Sequence, residues 1–100
     1  MNIQILNENG VYTGVLDGRL DTNAVADFAK DIQPLLEHAD QHIILDCSKL
    51  EYIASSGLRI FLLLRKESAE KGGKVTLVNV SGDVQKVFKM VGFYSLFEIL

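Results

Sequence analysis

Ala54-Ser55-Ser56-Gly57 is the one stretch of this 100-residue chain where small hydroxyl side chains stand together at the expected start of a helix. Two hydroxyls followed by a residue without a side chain sit beside backbone N–H donors that a first helical turn leaves unpaired. Three chemistries fit such a junction in outline. Hydrolysis is the first, because strand–Ser–Gly–helix superficially resembles a nucleophile elbow. The glycine expected two residues before either serine is absent, however, with Ile53 and Ala54 in its place. His38 and His42 both precede the serines, and neither follows an acidic orienter in hydrolase order, so no catalytic residue is assigned. The second chemistry is a phosphate or nucleotide cradle, since helix N-termini favour anions. Neither Ser55-Ser56-Gly57 nor Gly72-Gly73-Lys74 matches a phosphate-binding fingerprint, and no cofactor is expected. The third is capping, worth about 1 kcal/mol. A cap needs one hydroxyl, and Ser55 is the better candidate. Ser56, beside Gly57, is then left approachable by a partner or a modifying enzyme.

The remaining reactive side chains do not assemble. Nothing predicts that Asp46 and Glu51 converge as a carboxylate pair. The single Cys47 has no second thiol at metal-ligand spacing and no disulfide partner. At the end of an apolar run it reads as a small buried hydrophobe, and no metal site is expected. A formal net charge of −3 argues against direct nucleic-acid binding, whose affinity comes from a basic face. Hydrophobic content of 48% with 23% charged residues is ordinary globular composition. No apolar run approaches the roughly 18–20 residues that span a bilayer, so no membrane insertion is expected. The N-terminus shows no basic region or small-residue cleavage site, which points to a cytoplasmic protein.

The elements that must hold the junction can be read in order. Ile3 and Ile5 alternate with Asn2 and Gln4 as a half-buried strand, and Asn9-Gly10 favours a tight reversal into a second strand, Val11 to Leu16. Asp17 to Asn23 reads as a polar loop rich in capping residues. Val25, Phe28, Ala29, Ile32, Leu35, Leu36 and Ala39 follow helical spacing as one apolar stripe, which Asp21, Thr22 or Asn23 can cap. Pro34 inside that pattern predicts a kink, or a helix restarting with Pro34 in its first turn. His42 to Leu45, closed by Asp46-Cys47, is a buried strand; Leu58 to Ala69 continues the junction as a helix stopped by Gly72-Gly73. Val75 to Val78 is a further strand. Ser81 can cap a last helix carrying Val84, Val87, Phe88 and Val91, and the apolar tail from Phe93 to Leu100 reads as an edge strand or packed arm. The order β-β-α-β-α-β-α predicts a single α/β domain over residues 1–100, with a mixed sheet of four to five strands. Its N-terminal hairpin is antiparallel, its central strands are parallel, and its helices lie mainly on one face.

A family resemblance sharpens this reading. Ile43-Ile44-Leu45-Asp46, leading through Ile53-Ala54-Ser55-Ser56-Gly57-Leu58, resembles the signature of the STAS family of the anti-sigma-factor antagonist type. Gly18-Arg19-Leu20-Asp21 resembles that family's Gly-x-Leu-Asp. Val78-Asn79-Val80-Ser81 and Val87-Phe88-Lys89-Met90-Val91-Gly92 are similar to its later part, so the resemblance covers essentially the whole chain. It implies a non-enzymatic regulator that binds an anti-sigma factor that is also a serine kinase, thereby controlling sigma-factor-dependent transcription. Phosphorylation by that kinase switches binding off, and a serine phosphatase restores it. The family's phosphoacceptor maps onto Ser56, and Asp21 matches an acidic position near the partner surface, so that Asp21, Ser55, Ser56 and Gly57 are the expected contact residues. The family commonly has an aspartate directly before the serine pair, where this chain has Ala54. The alternative on the same scaffold is a non-phosphorylated adaptor or small-ligand module, as in stress-signalling or lipid-transport complexes.

Overall fold

A left-handed pair of residues, Asn9 at φ 52° and Gly10 at φ 81°, reverses the chain and sets the first two strands in register. Positive φ at both central positions gives the tight hairpin turn whose twist matches its flanking strands. It joins β1 (Asn2–Glu8) to β2 (Val11–Leu20), with Glu8 opposite Val11 and Asn2 opposite Asp17. The computed structural model describes residues 1–100. Beyond the hairpin come α1 (Val25–Asp31), α2 (Gln33–Glu37), β3 (His42–Ile53), α3 (Ser55–Glu70), β4 (Lys74–Val78), α4 (Gly82–Met90), α5 (Phe93–Leu96) and β5 (Glu98–Ile99).

The sheet order is β1-β2-β3-β4-β5, antiparallel between the first two strands and parallel thereafter. Each crossover moves one strand further in the same direction, so right-handed connections lay the helices on one face. The one-sided winding expected from the sequence is therefore the architecture found. On the covered face Leu16 and Leu20 of β2, Ile43, Leu45 and Cys47 of β3 and Leu77 of β4 are all buried. Phe61 of α3 is the centre of the helical layer, its ring 6.2 Å from Phe28, 5.9 Å from Phe88 and 6.2 Å from Phe93. Helices α1, α3, α4 and α5 thus each contribute one aromatic to a shared apolar contact.

Pro34 restarts the first helical stretch rather than kinking it. Ile32 ends α1 and precedes α2, with Pro34 in the first turn where its missing N–H costs nothing. The stripe runs through the break: Phe28, Ile32, Leu35 and Ala39 are all buried. Gly72, at φ 79°, turns the chain out of α3. Gly73 then passes so close to the Ala39 carbonyl that a Cβ would collide with it. The tail is both a short helix and an edge strand, Glu98–Ile99 pairing with Thr76–Leu77. That edge is tied on the open face of the sheet. The Thr76 hydroxyl donates to Glu98 Oε1 at 3.2 Å, His42 Nε2 lies 2.9 Å from Thr76 Oγ1, and Lys74 Nζ lies 3.1 Å from Glu98 Oε1. The Lys74 hydrogen bond foremost holds the Glu98 carboxyl below its ordinary range.

Two strands are longer than their hydrophobic runs. Residues 17–20, expected to be loop, belong to β2, and β3 continues six residues past Cys47 to Ile53. Irregularities between Val15 and Asp17 and between Gly18 and Arg19 break the alternation there while pairing continues, Arg19 opposite Tyr52 and Leu20 opposite Ile53. No helix is long and apolar enough to cross a membrane.

Candidate functional site

The parallel register of β2 and β3 decides where the site forms. Because Leu20 and Ile53 end their strands side by side, the Asp21 loop and the Ser55-Ser56 junction leave the same edge of the sheet together. The Ala54 N–H donates to the Leu20 carbonyl at 2.8 Å, stitching the two exits to each other. Asp21 is folded back on its own turn: its Oδ1 and its carbonyl oxygen both accept from the Ala24 N–H, at 3.0 and 3.1 Å. Asp21 thus closes the turn leading into α1, while Ala24 occupies the cap position and Thr22 and Asn23 stay exposed.

The cap of α3 is Ala54, not Ser55. Ala54 has extended backbone, φ −86° and ψ 163°, and its carbonyl accepts from Gly57 N–H at 2.9 Å and Leu58 N–H at 3.1 Å. Ser55 and Ser56 are already the first two helical residues, so the expectation that Ser55 caps the helix is overturned. A capping hydroxyl belongs to the residue with extended backbone just before the first turn, and Ser55 and Ser56 lie beyond it. Ser81 occupies the corresponding cap position of α4, again without a side-chain hydrogen bond. The first turn of α3 therefore lacks any side-chain cap, with Ser55 exposed and Ser56 half-buried beside it.

Gly57, expected among the contact residues, is buried. A Cβ there would lie 2.8 Å from Leu20 Cγ and Cδ2 and 3.1 Å from Ile53 Cγ1. Its task is close approach: without a side chain, the first turn of α3 settles directly on the end of β2.

Residues around the junction give it a surface character that sequence reading did not isolate. The Arg19 guanidinium carbon sits 4.5 Å above the Tyr52 ring. An open concavity of about 420 Å³ lies on one side of Arg19, lined with Met1, Asp21, Asn23, Ala24 and Asp27. A smaller one of about 100 Å³, on the other side, is lined with Glu51, Tyr52, Ile53, Asp83, Val84 and Val87. Asp21, Asp27, Glu51 and Asp83 thus surround one stacked arginine. The available signal was the strand extension itself, since Arg19 and Tyr52 become neighbours only once β2 and β3 pair to their ends.

Cys47 and Asp46 take structural roles. Burial, with the Asp46 charge adding to it, pushes the Cys47 thiol up to about 12, and Cys47 Sγ faces the Leu45 carbonyl at 3.7 Å. Asp46 Oδ1 accepts from the Ser48 N–H at 3.0 Å and from Asn79 Nδ2 at 3.2 Å, tying β3 to the exit of β4. Partial burial opposes ionisation of Asp46, but those hydrogen bonds outweigh it and hold the carboxyl below its usual range. Asp46 and Glu51 do not form a pair: Glu51 belongs to the Arg19–Tyr52 surface instead.

Comparison with known proteins agrees with this geometry. The sequence model of the STAS domain matches residues 2–100. A STAS-domain containing protein of Pseudomonas aeruginosa is 30% identical over 84 residues, 84% of this chain and 82% of that protein. The anti-sigma F factor antagonist of Paenibacillus polymyxa is 28% identical over 102 aligned positions, 99% of this chain and 87% of its own length. Among solved structures, the anti-sigma factor antagonist SpoIIAA superposes in its unphosphorylated form with a TM-score of 0.79 at 24% identity, covering 99% of this chain and 88% of that one. The phosphorylated form of the Bacillus cell fate determinant SpoIIAA gives 0.73 at 24% identity, covering 99% and 91%. With the element order, the one-sided parallel winding and the junction all in place, the chain belongs to the STAS domain family.

Proposed function

We propose that this single-domain chain is a protein-interaction switch of the cytoplasm, an anti-sigma-factor antagonist without catalysis of its own. It binds an anti-sigma factor that is also a serine kinase, and so frees a sigma factor for transcription. The kinase phosphorylates Ser56, which ends the interaction, and a serine phosphatase reverses the modification. One observation carries the reading: a partly accessible hydroxyl sits in an uncapped first helical turn, beside the Asp21 loop. The names of the relatives, and the existence of SpoIIAA in a phosphorylated form, support it.

The physics of that position suits a switch. A phosphate adds a charge of about −1.5 to −2 near neutral pH. At a helix N-terminus the dipole and unpaired N–H groups stabilise it, so modification leaves the domain folded. Its effect falls on the partner, which must accept a desolvated phosphate beside the Asp21 loop. Losing about 3 kcal/mol in this way weakens binding more than a hundredfold.

The test begins with protein purified from its own organism, where intact mass shows a one-phosphate increment and fragmentation places it on Ser56. The copurifying partner then binds Ser56→Ala constitutively and Ser56→Asp at least tenfold more weakly, with both variants melting close to wild type. Equal affinity of the partner for native, phosphorylated and Ser56→Asp protein would falsify the switch.

A further inference from the structure

We propose that the outer edge of β1 pairs with the same edge of a second copy of this chain, making one continuous sheet across a twofold axis. The two edges of this sheet are treated very differently. β5 is two residues long and braced by the Lys74–Glu98–Thr76 contacts. β1 runs seven residues in regular register with β2, without a bulge. It contains no lysine and no proline, and its one charged side chain is Glu8, at the far end. Charge, proline, bulges and brevity are the devices by which edge strands avoid pairing, and β1 has none of them along its middle.

The strand's own sequence selects the occupant. A twofold axis perpendicular to the sheet pairs antiparallel edges and keeps the helices of both copies on one face. Centred on Gln4, it sets Ile3 opposite the partner's Ile5 and Ile5 opposite the partner's Ile3. Both isoleucines are half-buried and pack against the core, so a mirrored pair covers what the monomer leaves open. Opposed β-branched residues are among the favourable cross-strand pairs. On the other face, exposed Gln4 meets Gln4 of the partner subunit, an uncharged contact able to form side-chain hydrogen bonds. Glu8 lies outside the paired segment, so no like charges are opposed. The axis falls near Val15, the partner of Gln4 within the monomer, five residues before Leu20. That is about 17 Å along the strand from the Ser56 end, so pairing leaves the switch surface free. An edge contact alone is small beside the roughly 1,200–2,000 Å² of a standard interface, so the dimer forms at high concentration and is not obligate.

Sedimentation velocity of the full chain from about 10 µM to about 1 mM gives a reversible monomer–dimer equilibrium for wild type. Gln4→Lys and Gln4→Glu each place like charges opposite one another and sediment as monomers over the same range, with unchanged circular dichroism because Gln4 is exposed. Mixing the two variants restores a dimer, since the introduced ammonium of one copy then faces the introduced carboxylate of the other. A wild type that stays monomeric throughout overturns the proposal, as does a Gln4→Lys variant that dimerises like wild type or a mixture that fails to recover.

Discussion

At the scale of single residues, burial and not residue type separates the reactive groups of this protein. Cys47 is 2% exposed, its thiol held neutral far above the usual range, whereas Ser56 keeps access to solvent at the start of α3. The thiol should therefore resist labelling in the native state, and a rate equal to that of an unfolded control would contradict the packing. Its linkage to folding has a definite sign. The unfolded chain loses the Cys47 proton near 9.0 while the native chain keeps it until about 12, so the unfolded state binds fewer protons between them. Stability should fall as pH rises above about 9, by up to roughly 1.4 kcal/mol per pH unit from this group. Denaturant titrations at pH 8 to 10 should show that slope in wild type and lose it in Cys47→Ala. Gly57→Ala tests the closest approach in the site. Alanine gains up to about 1 kcal/mol of helix propensity. Overpacking against the wholly buried Leu20 costs about 1–3 kcal/mol, so the variant should be less stable than wild type in urea titration.

At the scale of elements, the missing cap on α3 is a stability reserve left unused. Ala54 already holds the extended backbone a capping residue needs, so Ala54→Asp should add about 1 kcal/mol by accepting from the first-turn N–H groups. The gain should appear as a raised melting temperature, and it should shrink when Ser56 carries a phosphate that engages the same N–H groups. An unchanged or lowered stability would mean that those donors are not free. The position of this cap shows what a sequence withholds. Ser55 and Ser56 announce a helix start, but which residue turns from extended to helical backbone depends on where β3 ends, and β3 runs on through Lys49 and Glu51. Those polar side chains and the irregular pairing beside Gly18 hide the strand extensions, because they carry neither the alternation nor the apolar run by which a strand is read. The α1 stripe, the interruption at Pro34 and the glycine stops were legible because each acts through local geometry. Ser56 and Asp21 stood out by residue type and resemblance, whereas Arg19, Tyr52 and Glu51 did not, since their proximity is a product of register. The apolar tail gave no period from which α5 and β5 could be told apart.

At the scale of the whole molecule, one layer of helices covers one face of one sheet, so the aromatic contact around Phe61 has no duplicate elsewhere. Phe28 is 2% exposed within it, and Phe28→Ala should cost about 3–5 kcal/mol in denaturant titration. Against a total of roughly 5–15 kcal/mol for a small domain, that loss is a large share of the stability. A loss below about 1 kcal/mol would mean that α1 is not the lid its contacts describe. The agreement between chain order and strand order bears, finally, on how this protein is made. Because each strand pairs with the one before it in the chain, the sheet can lengthen one strand at a time as the polypeptide emerges. Until Glu98 and Ile99 arrive, that growing edge is β4, with Val75, Thr76 and Leu77 unprotected on it. A chain cut before Glu98 would keep the other four strands and still offer chaperones and proteases a bare β-strand.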